Sequence, residues 1–366
     1  MKRREFVLGW LAAAGARAAE EPVGTGVIGT GNRGSYLLRT VLEQPGVRVV
    51  ALCDLKPDRL DKAATLAAKD EPVTYSDYRR LLENKAVKAV FIATPCDQHV
   101  EMAIAAVKAG KHVYCEKPLG ITPESLAELL RVARGAKTVF QVGQQLRSGV
   151  RYQQLVAKLR EGVVGKIIMV KAQRHAGDDL AHGGPSAEWF FDVKKSGDVI
   201  VEMAVHNLDL CNWLIGSLPE RAAGFGGTLV WVNDPPGRTN MDGYTLSYEY
   251  RNGVKLSFTQ VFFHPNGMPG GGQYFYAYGT EGAVDVSGGT YYPRARGAKP
   301  VKLLEEVERM PGRDAHVAAF YECIRTGAKP PADLIVGVTG ALTAILGREA
   351  IYRKRVMEWR ELGVDL

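Results

Sequence analysis

Gly29-Thr30-Gly31-Asn32-Arg33-Gly34 stands directly after an apolar run over residues 23–28 and opens a stretch of helical spacing over 35–44. G-x-G-x-x-G alone is a weak signal, but a strand before it and a helix after it give it a physical purpose. Glycines let the backbone turn tightly and approach a pyrophosphate, whose charge then rests at the helix N-terminus. Some twenty residues further on, Asp54 ends the second apolar run, Val49-Val50-Ala51-Leu52-Cys53. An acid there accepts hydrogen bonds from adenosine ribose hydroxyls and repels a 2′-phosphate. Leu55 follows it, not Ser or Arg, so NAD is favoured over NADP, a preference tempered by Lys56. Gly29, Gly31, Asn32, Arg33, Gly34 and Asp54 are therefore the first cofactor-binding candidates.

Outward from this turn, short apolar runs alternate with amphipathic stretches to about residue 142. Runs at 47–52, 87–93, 113–115 and 139–142 read as strands, while 58–68, 99–109 and 125–133 have helical spacing. That alternation predicts βαβ units and a parallel sheet. The rhythm then changes. A helix over 150–161 and a strand over 166–173 precede a loop rich in Gly, His and Asp over 174–186. Strands dominate afterwards, at 228–232, 244–250, 255–263 and 273–278, with Asn252-Gly253 a hairpin signal and Gly279-Thr280-Glu281-Gly282 a second turn. Helices over 313–326 and 333–353 close the chain. The expected fold class is α/β: an N-terminal Rossmann dinucleotide-binding domain over 22–143, then a C-terminal α+β domain over 144–366 on a largely antiparallel open sheet.

A chain of 366 residues has room for two cores. Its formal charge of +7 looks like that of a nucleic-acid binder. Yet Lys2, Arg3, Arg4 and Arg17 stand against Glu5 alone in the first eighteen residues, and without that segment the charge is about +4. No later stretch forms a Lys/Arg block, which argues against DNA or RNA as a partner. The segment reads as a twin-arginine export signal over 1–18: Lys2-Arg3-Arg4-Glu5-Phe6-Val7, an apolar run over 7–16, then Ala16-Arg17-Ala18. The expectation is a periplasmic protein, exported already folded and loaded with cofactor. The run is too short to span a bilayer, and no later stretch has 18 uninterrupted apolar residues, so no membrane span is expected. Cys53, Cys96, Cys115, Cys211 and Cys323 are odd in number and widely spaced, with no C-x-x-C pair, so reduced packing residues are expected.

Two further stretches carry chemistry. Gly110-Lys111-His112-Val113-Tyr114-Cys115-Glu116-Lys117-Pro118-Leu119, with Ala93-Thr94-Pro95, His99 and the glycine turn, closely resembles the Gfo/Idh/MocA oxidoreductases, the glucose–fructose oxidoreductase and inositol dehydrogenase family. The resemblance runs from about residue 23 to the last helix. The family's second motif, roughly G-G-x-x-x-D-x-G-x-H-x-x-D, is met by Ser196-Gly197-Asp198-Val199-Ile200-Val201-Glu202-Met203-Ala204-Val205-His206-Asn207-Leu208-Asp209. His206 and Asp209 match it; Glu202 stands where Asp is usual and Ala204 where Gly is usual. The resemblance implies an NAD-dependent oxidoreductase acting on a carbohydrate, with Thr94, Pro95, His99, Glu116 and Lys117 also at the cofactor. It implies a homo-oligomer formed through the C-terminal sheet.

Oxidising a secondary alcohol needs a base for the hydroxyl proton, and imidazole titrates in the right range. By resemblance His206 is the acid/base and Lys117 the positioning and electrostatic group. Glu202 and His206 are four apart, hence on one helix face, so Glu202 is expected to orient the imidazole and stabilise its protonated form. Arg147, His175, Trp189 and Asp209 are the substrate-binding candidates, with Trp189 able to stack on a pyranose. His175, Asp178, Asp179 and His182 share a loop, but their spacing fits no metal-ligand motif, and no metal is expected. Three functions stay open: a sugar or cyclitol oxidoreductase, an NAD-dependent glycosidase working through transient C3 oxidation and elimination, and a non-catalytic sugar or dinucleotide sensor. Export favours tight retention of NAD, because little free NAD exists outside the cytoplasm to replace it.

Overall fold

The computed structural model describes residues 21–177, 188–304 and 315–366. The expected export signal and Asp178, Asp179 and His182 lie outside the described residues. The chain opens as β1 (Val23–Ile28), α1 (Asn32–Leu42), β2 (Val47–Cys53), α2 (Pro57–Leu66), β3 (Val73–Tyr75), α3 (Tyr78–Glu83), β4 (Ala89–Ile92), α4 (His99–Lys108), β5 (His112–Cys115), α5 (Pro123–Ala133) and β6 (Phe140–Val142). The six strands are parallel, in the order β3-β2-β1-β4-β5-β6. That order reverses between β1 and β4, where doubly wound sheets open a ligand crevice at the carboxyl ends of their strands. Helices cover both faces, so consecutive residues of β4, Val90, Phe91 and Ile92, are all fully buried. Asp77 and Thr122 cap α3 and α5 with their side chains, whereas α1 has Gly31 at its N-cap and no side-chain cap. Its first-turn amides are left for another acceptor.

The second part runs α6 (Val150–Arg160), β7 (Ile167–His175), α7 (Val193–Ser196), α8 (Val199–Glu202), α9 (Val205–Ile215), β8 (Pro219–Gly227), β9 (Gly243–Tyr250), β10 (Lys255–Val261), β11 (Gly272–Gly279), β12 (Gly282–Asp285), β13 (Thr290–Pro293) and β14 (Val301–Lys302), then α10 (Ala315–Thr326), α11 (Leu334–Tyr352) and β15 (Met357–Glu358). Its nine strands lie in the order β14-β13-β12-β11-β7-β10-β9-β8-β15, and every pair is antiparallel except β7 with β10. Asn252-Gly253 and Gly279–Gly282 make the hairpin turns expected of them. α11 is long and apolar enough to cross a membrane by length and composition, but it is a buried core helix. Gly347 lets it close on the sheet: a Cβ there would sit 2.2 Å from the Tyr248 hydroxyl oxygen.

Two expectations need correction. Residues 228–232 are not a strand; the strand is β8, just before them, and the Asp242 carboxylate instead collects the amides of Leu229, Val230 and Trp231 at 2.7, 2.9 and 2.8 Å. Glycines hid β8. Gly224 and Gly226 lie against β9 with no room for a Cβ, 2.4 Å from Thr245 O and Tyr244 Cβ. Nor do residues 144–366 all belong to the second sheet. α10 returns to the first domain, where Phe320 meets Phe91 edge-on at 5.3 Å and the Tyr321 and Thr25 hydroxyls are 2.9 Å apart. All five cysteines are buried and free.

Candidate active site

The three glycines divide the work of the first turn. Gly29 takes a positive φ of 84°, and a Cβ there would lie 2.6 Å from Ala93 O. Gly34 brings α1 onto β1, since its Cβ would be 1.8 Å from Gly29 O. Gly31 faces open space apart from the Arg59 guanidinium, whose Nη1 would be 3.2 Å from an added Cβ. An uncapped helix N-terminus, a glycine without steric cover and a neighbouring guanidinium fit a diphosphate. Asp54 accepts from Thr30 N at 2.7 Å, Thr30 Oγ1 at 3.1 Å and Lys56 N at 2.9 Å. It thereby fixes the turn while standing at the strand end where ribose hydroxyls are held. Asn32 is exposed on the first turn of α1. Thr94 and Pro95 follow β4, on the far side of the crevice.

Three cofactor candidates are held in hydrogen-bond networks within the chain. His99 is buried, its ring nitrogens 2.7 Å from Pro118 O and 2.9 Å from Thr94 O. It braces the loop after β4 against the loop after β5. Glu116 is buried and receives Arg33 Nε at 2.8 Å and Lys117 N at 3.1 Å. Burial pushes its carboxyl up, but Arg33 and Lys117 more than offset this and hold it below the usual carboxylate range. Arg33 also donates to Gln145 Oε1 at 3.0 Å. Its guanidinium is thus a strut between the glycine turn and the neighbouring pocket.

That pocket is lined by Lys117, Gln145, Leu146, Arg174, Glu202, Met203, His206 and Gln273, drawn from both domains. Lys117 Nζ donates to Glu202 Oε1 and to Glu202 O, both at 2.7 Å. His206 Nδ1 lies 3.0 Å from Gln144 Oε1. An amide oxygen can only accept, so Nδ1 carries the proton and Nε2 keeps its lone pair. Burial lowers the affinity of His206 for a second proton, and the charges of Lys117, Arg174 and Arg33 lower it further. The imidazole is therefore a neutral base.

The expected Glu202–His206 pair does not form. α8 ends at Glu202 and α9 begins at Val205, so the spacing of four crosses a break between helices. Glu202 serves Lys117, and Gln144 orients His206. Arg147 and Asp209 do not line the pocket either: they hold each other in a two-pronged ion pair, Nε to Oδ2 and Nη2 to Oδ1 at 2.8 Å. His175 donates to or accepts from Thr259 Oγ1 at 2.9 Å and lies beside His264, while its neighbour Arg174 enters the pocket. Successive strand residues face opposite ways, so the expectation was off by one residue. Trp189 packs edge-on to Phe190 at 6.4 Å. The residues missed from sequence are Arg59, Gln144, Gln145, Arg174 and Gln273; the strand expected over 166–173 stops one residue short of Arg174, whereas β7 runs on to His175.

Comparison with known proteins agrees with this architecture. A family model for an oxidoreductase family with an NAD-binding Rossmann fold matches residues 23–144, and a GFO/IDH/MocA C-terminal domain model matches 152–285. The chain is similar to the 2,7-anhydro-N-acetylneuraminate hydratase of Mediterraneibacter gnavus, at 27% identity over 72% of this chain and 67% of that one. It is 34% identical to a glycosyl hydrolase family 109 protein of Stenotrophomonas maltophilia over 47% of this chain and 42% of that one. With the inositol 2-dehydrogenase of Salmonella typhimurium it shares 31% identity over 52% of this chain and 54% of that one. The chain thus spans about half the length of the last two relatives. Among solved structures, levoglucosan dehydrogenase in complex with NADH superposes with a TM-score of 0.77 at 21% identity, covering 92% of this chain and 99% of that one. The myo-inositol 2-dehydrogenase from Lactobacillus plantarum gives 0.76 at 22%, with the same coverage of 92% and 99%. At these identities the likeness speaks for the fold.

Proposed function

The chain belongs to the Gfo/Idh/MocA oxidoreductase family, and from that membership we propose that it interconverts a ring hydroxyl and a ketone on a sugar, sugar derivative or cyclitol. The observation that carries this reading is the convergence of Lys117 and His206, from different domains, on one pocket beside the dinucleotide turn. When bound, NAD would supply the hydride acceptor. Lys117, with two of its hydrogens on Glu202, keeps the third for the substrate oxygen and stabilises negative charge building there. His206 Nε2 takes the hydroxyl proton, while Gln144 holds the ring and its tautomer. The test is steady-state kinetics with NAD on a panel of sugars and cyclitols. His206→Ala and Lys117→Ala should each cost about 10²–10⁴-fold in kcat/KM; unchanged turnover in either variant removes the reading.

The twin-arginine sequence at the N-terminus supports export, and export in turn supports a tightly held NAD. Denaturing the purified protein and weighing the released nucleotide tests retention and the choice of NAD over NADP together. Fractionation of cells expressing the full chain tests its location. Met169, Tyr278 and Tyr292, exposed apolar residues in register on one face of the large sheet, support a homo-oligomer, which light scattering would reveal. The glycosyl hydrolase relative favours a second reading, glycoside cleavage through transient oxidation. Release of an aryl leaving group without added NAD would select it, whereas a stable keto-sugar selects the dehydrogenase.

A further inference from the structure

Four cations border the pocket and the seam beside it, and three have their own carboxylate. Arg33 has Glu116 at 2.8 Å, Lys117 has Glu202 at 2.7 Å and Arg147 has Asp209 at 2.8 Å. Arg174 has none. Its Nε is buried without a partner, and among the described residues its side chain makes no ion pair or hydrogen bond. Burial lowers its hold on its proton, with Glu202 acting in the opposite sense, but a guanidinium does not give that proton up. The fold keeps a desolvated charge at the wall of the pocket. Such a charge is costly unless something supplies its counterpart.

The other lining groups point the same way. Gln145 Oε1 is taken by Arg33 at 3.0 Å, and Gln273 Oε1 by Asn207 Nδ2 at 2.9 Å. Each glutamine is left with its amino group to offer. Among the described residues the lining holds two cations and one carboxylate, and His206 is neutral. It is thus rich in donors and carries one net positive charge.

Resting on the oxidoreductase reading above, we propose that the substrate is an acidic sugar, whose carboxylate is clamped by Arg174 while Lys117 and His206 act on a ring hydroxyl. The guanidinium fork matches a carboxylate two-pronged. One net charge matches a monoanion; a phosphate ester would bring close to two.

Matched ligands differing only at one carbon test this. Glucuronate, glucose and glucose 6-phosphate, with galacturonate and galactose as a second series, would be titrated calorimetrically into NADH-loaded protein, and NAD reduction followed in parallel. The acid should bind about 10- to 100-fold more tightly than its neutral partner. Arg174→Met should abolish that preference, and Arg174→Lys should restore part of it. Equal affinity for acid and neutral sugar in the wild type, which requires no variant to fold, overturns the proposal. So does an acid preference that survives Arg174→Met, a preference for the phosphate, or no acid bound at all. Arg174-dependent acid binding with no NAD reduction by any ligand keeps the acidic ligand and removes the hydride-transfer reading. Turnover of neutral sugars without acid preference does the reverse.

Discussion

The Glu202 carboxylate and the Lys117 ammonium meet at 2.7 Å across the seam between the two domains. Lys117 follows β5 of the first domain; Glu202 ends α8 of the second. The contact settles which group each catalytic candidate answers to. Glu202 holds the ammonium in place, and His206, although four residues from Glu202, is governed by Gln144 and by the cations around it.

The pH dependence of alcohol oxidation should reflect this. Burial and then the charges of Lys117, Arg174 and Arg33 hold His206 well below the ordinary imidazole value of 6.5. The base stays competent as pH falls past that value, so the acidic limb of kcat/KM should lie below 6.5. The same shift acts on folding. Below 6.5 the unfolded histidine takes up a proton that the folded one refuses, so this group lowers stability as pH falls. A kinetic limb at or above the ordinary value contradicts the assignment of His206 as the base.

Gln144 is a positioning residue, and its variants should separate charge from shape. Gln144→Glu places a carboxylate beside Nδ1, favours the imidazolium and should move the acidic limb about one to three pH units upward. Gln144→Leu removes the acceptor that fixes the tautomer and should lower kcat by about tenfold or more with little change in KM. Identical pH profiles in wild type and Gln144→Glu would show that the contact at 3.0 Å does not control the ring.

Two glycine variants should fail in different ways. In Gly34→Ala the new methyl meets Gly29 O at 1.8 Å, backbone against backbone, and the loss should appear as stability, about 1–3 kcal/mol. In Gly31→Ala it meets only the end of the Arg59 side chain at 3.2 Å, so the fold should survive while dinucleotide affinity falls. Thermal melts beside NADH fluorescence titrations separate the two; equal effects in both assays would contradict this division.

Arg147 and Asp209 should report on folding before catalysis. Their side chains are 13% and 2% exposed, and Arg147→Met leaves a buried carboxylate uncompensated, at a cost of about 3–5 kcal/mol. Replacing both, with Asp209→Leu, should recover much of that loss in urea unfolding. A rise in substrate KM at unchanged stability would return the pair to the binding site.

The first domain was legible because its signals are local. Gly29, Gly31 and Gly34 lie within six residues, and Asp54 ends the strand that follows their helix, so spacing alone carries the cradle. Lys117 and His206 were legible through motif resemblance. The substrate candidates were less so. His175 and Arg174 are adjacent, and which one entered the pocket depended on a strand register that neither residue type reveals. β8 was missed because glycines that permit close strand contact look like loop residues in a string of letters.

The order of strands and helices, the diphosphate turn and the identity of the ammonium and imidazole followed from sequence, since each is set by residues near one another along the chain. Partnership did not. Glu202 could be read as serving His206 until a break between α8 and α9 gave it to Lys117, and Glu116, Arg33, Arg147 and Asp209 all looked like ligand contacts before they paired among themselves. Desolvated charges seek the nearest opposite charge in space, and that neighbour is chosen by how two separately folded sheets come together.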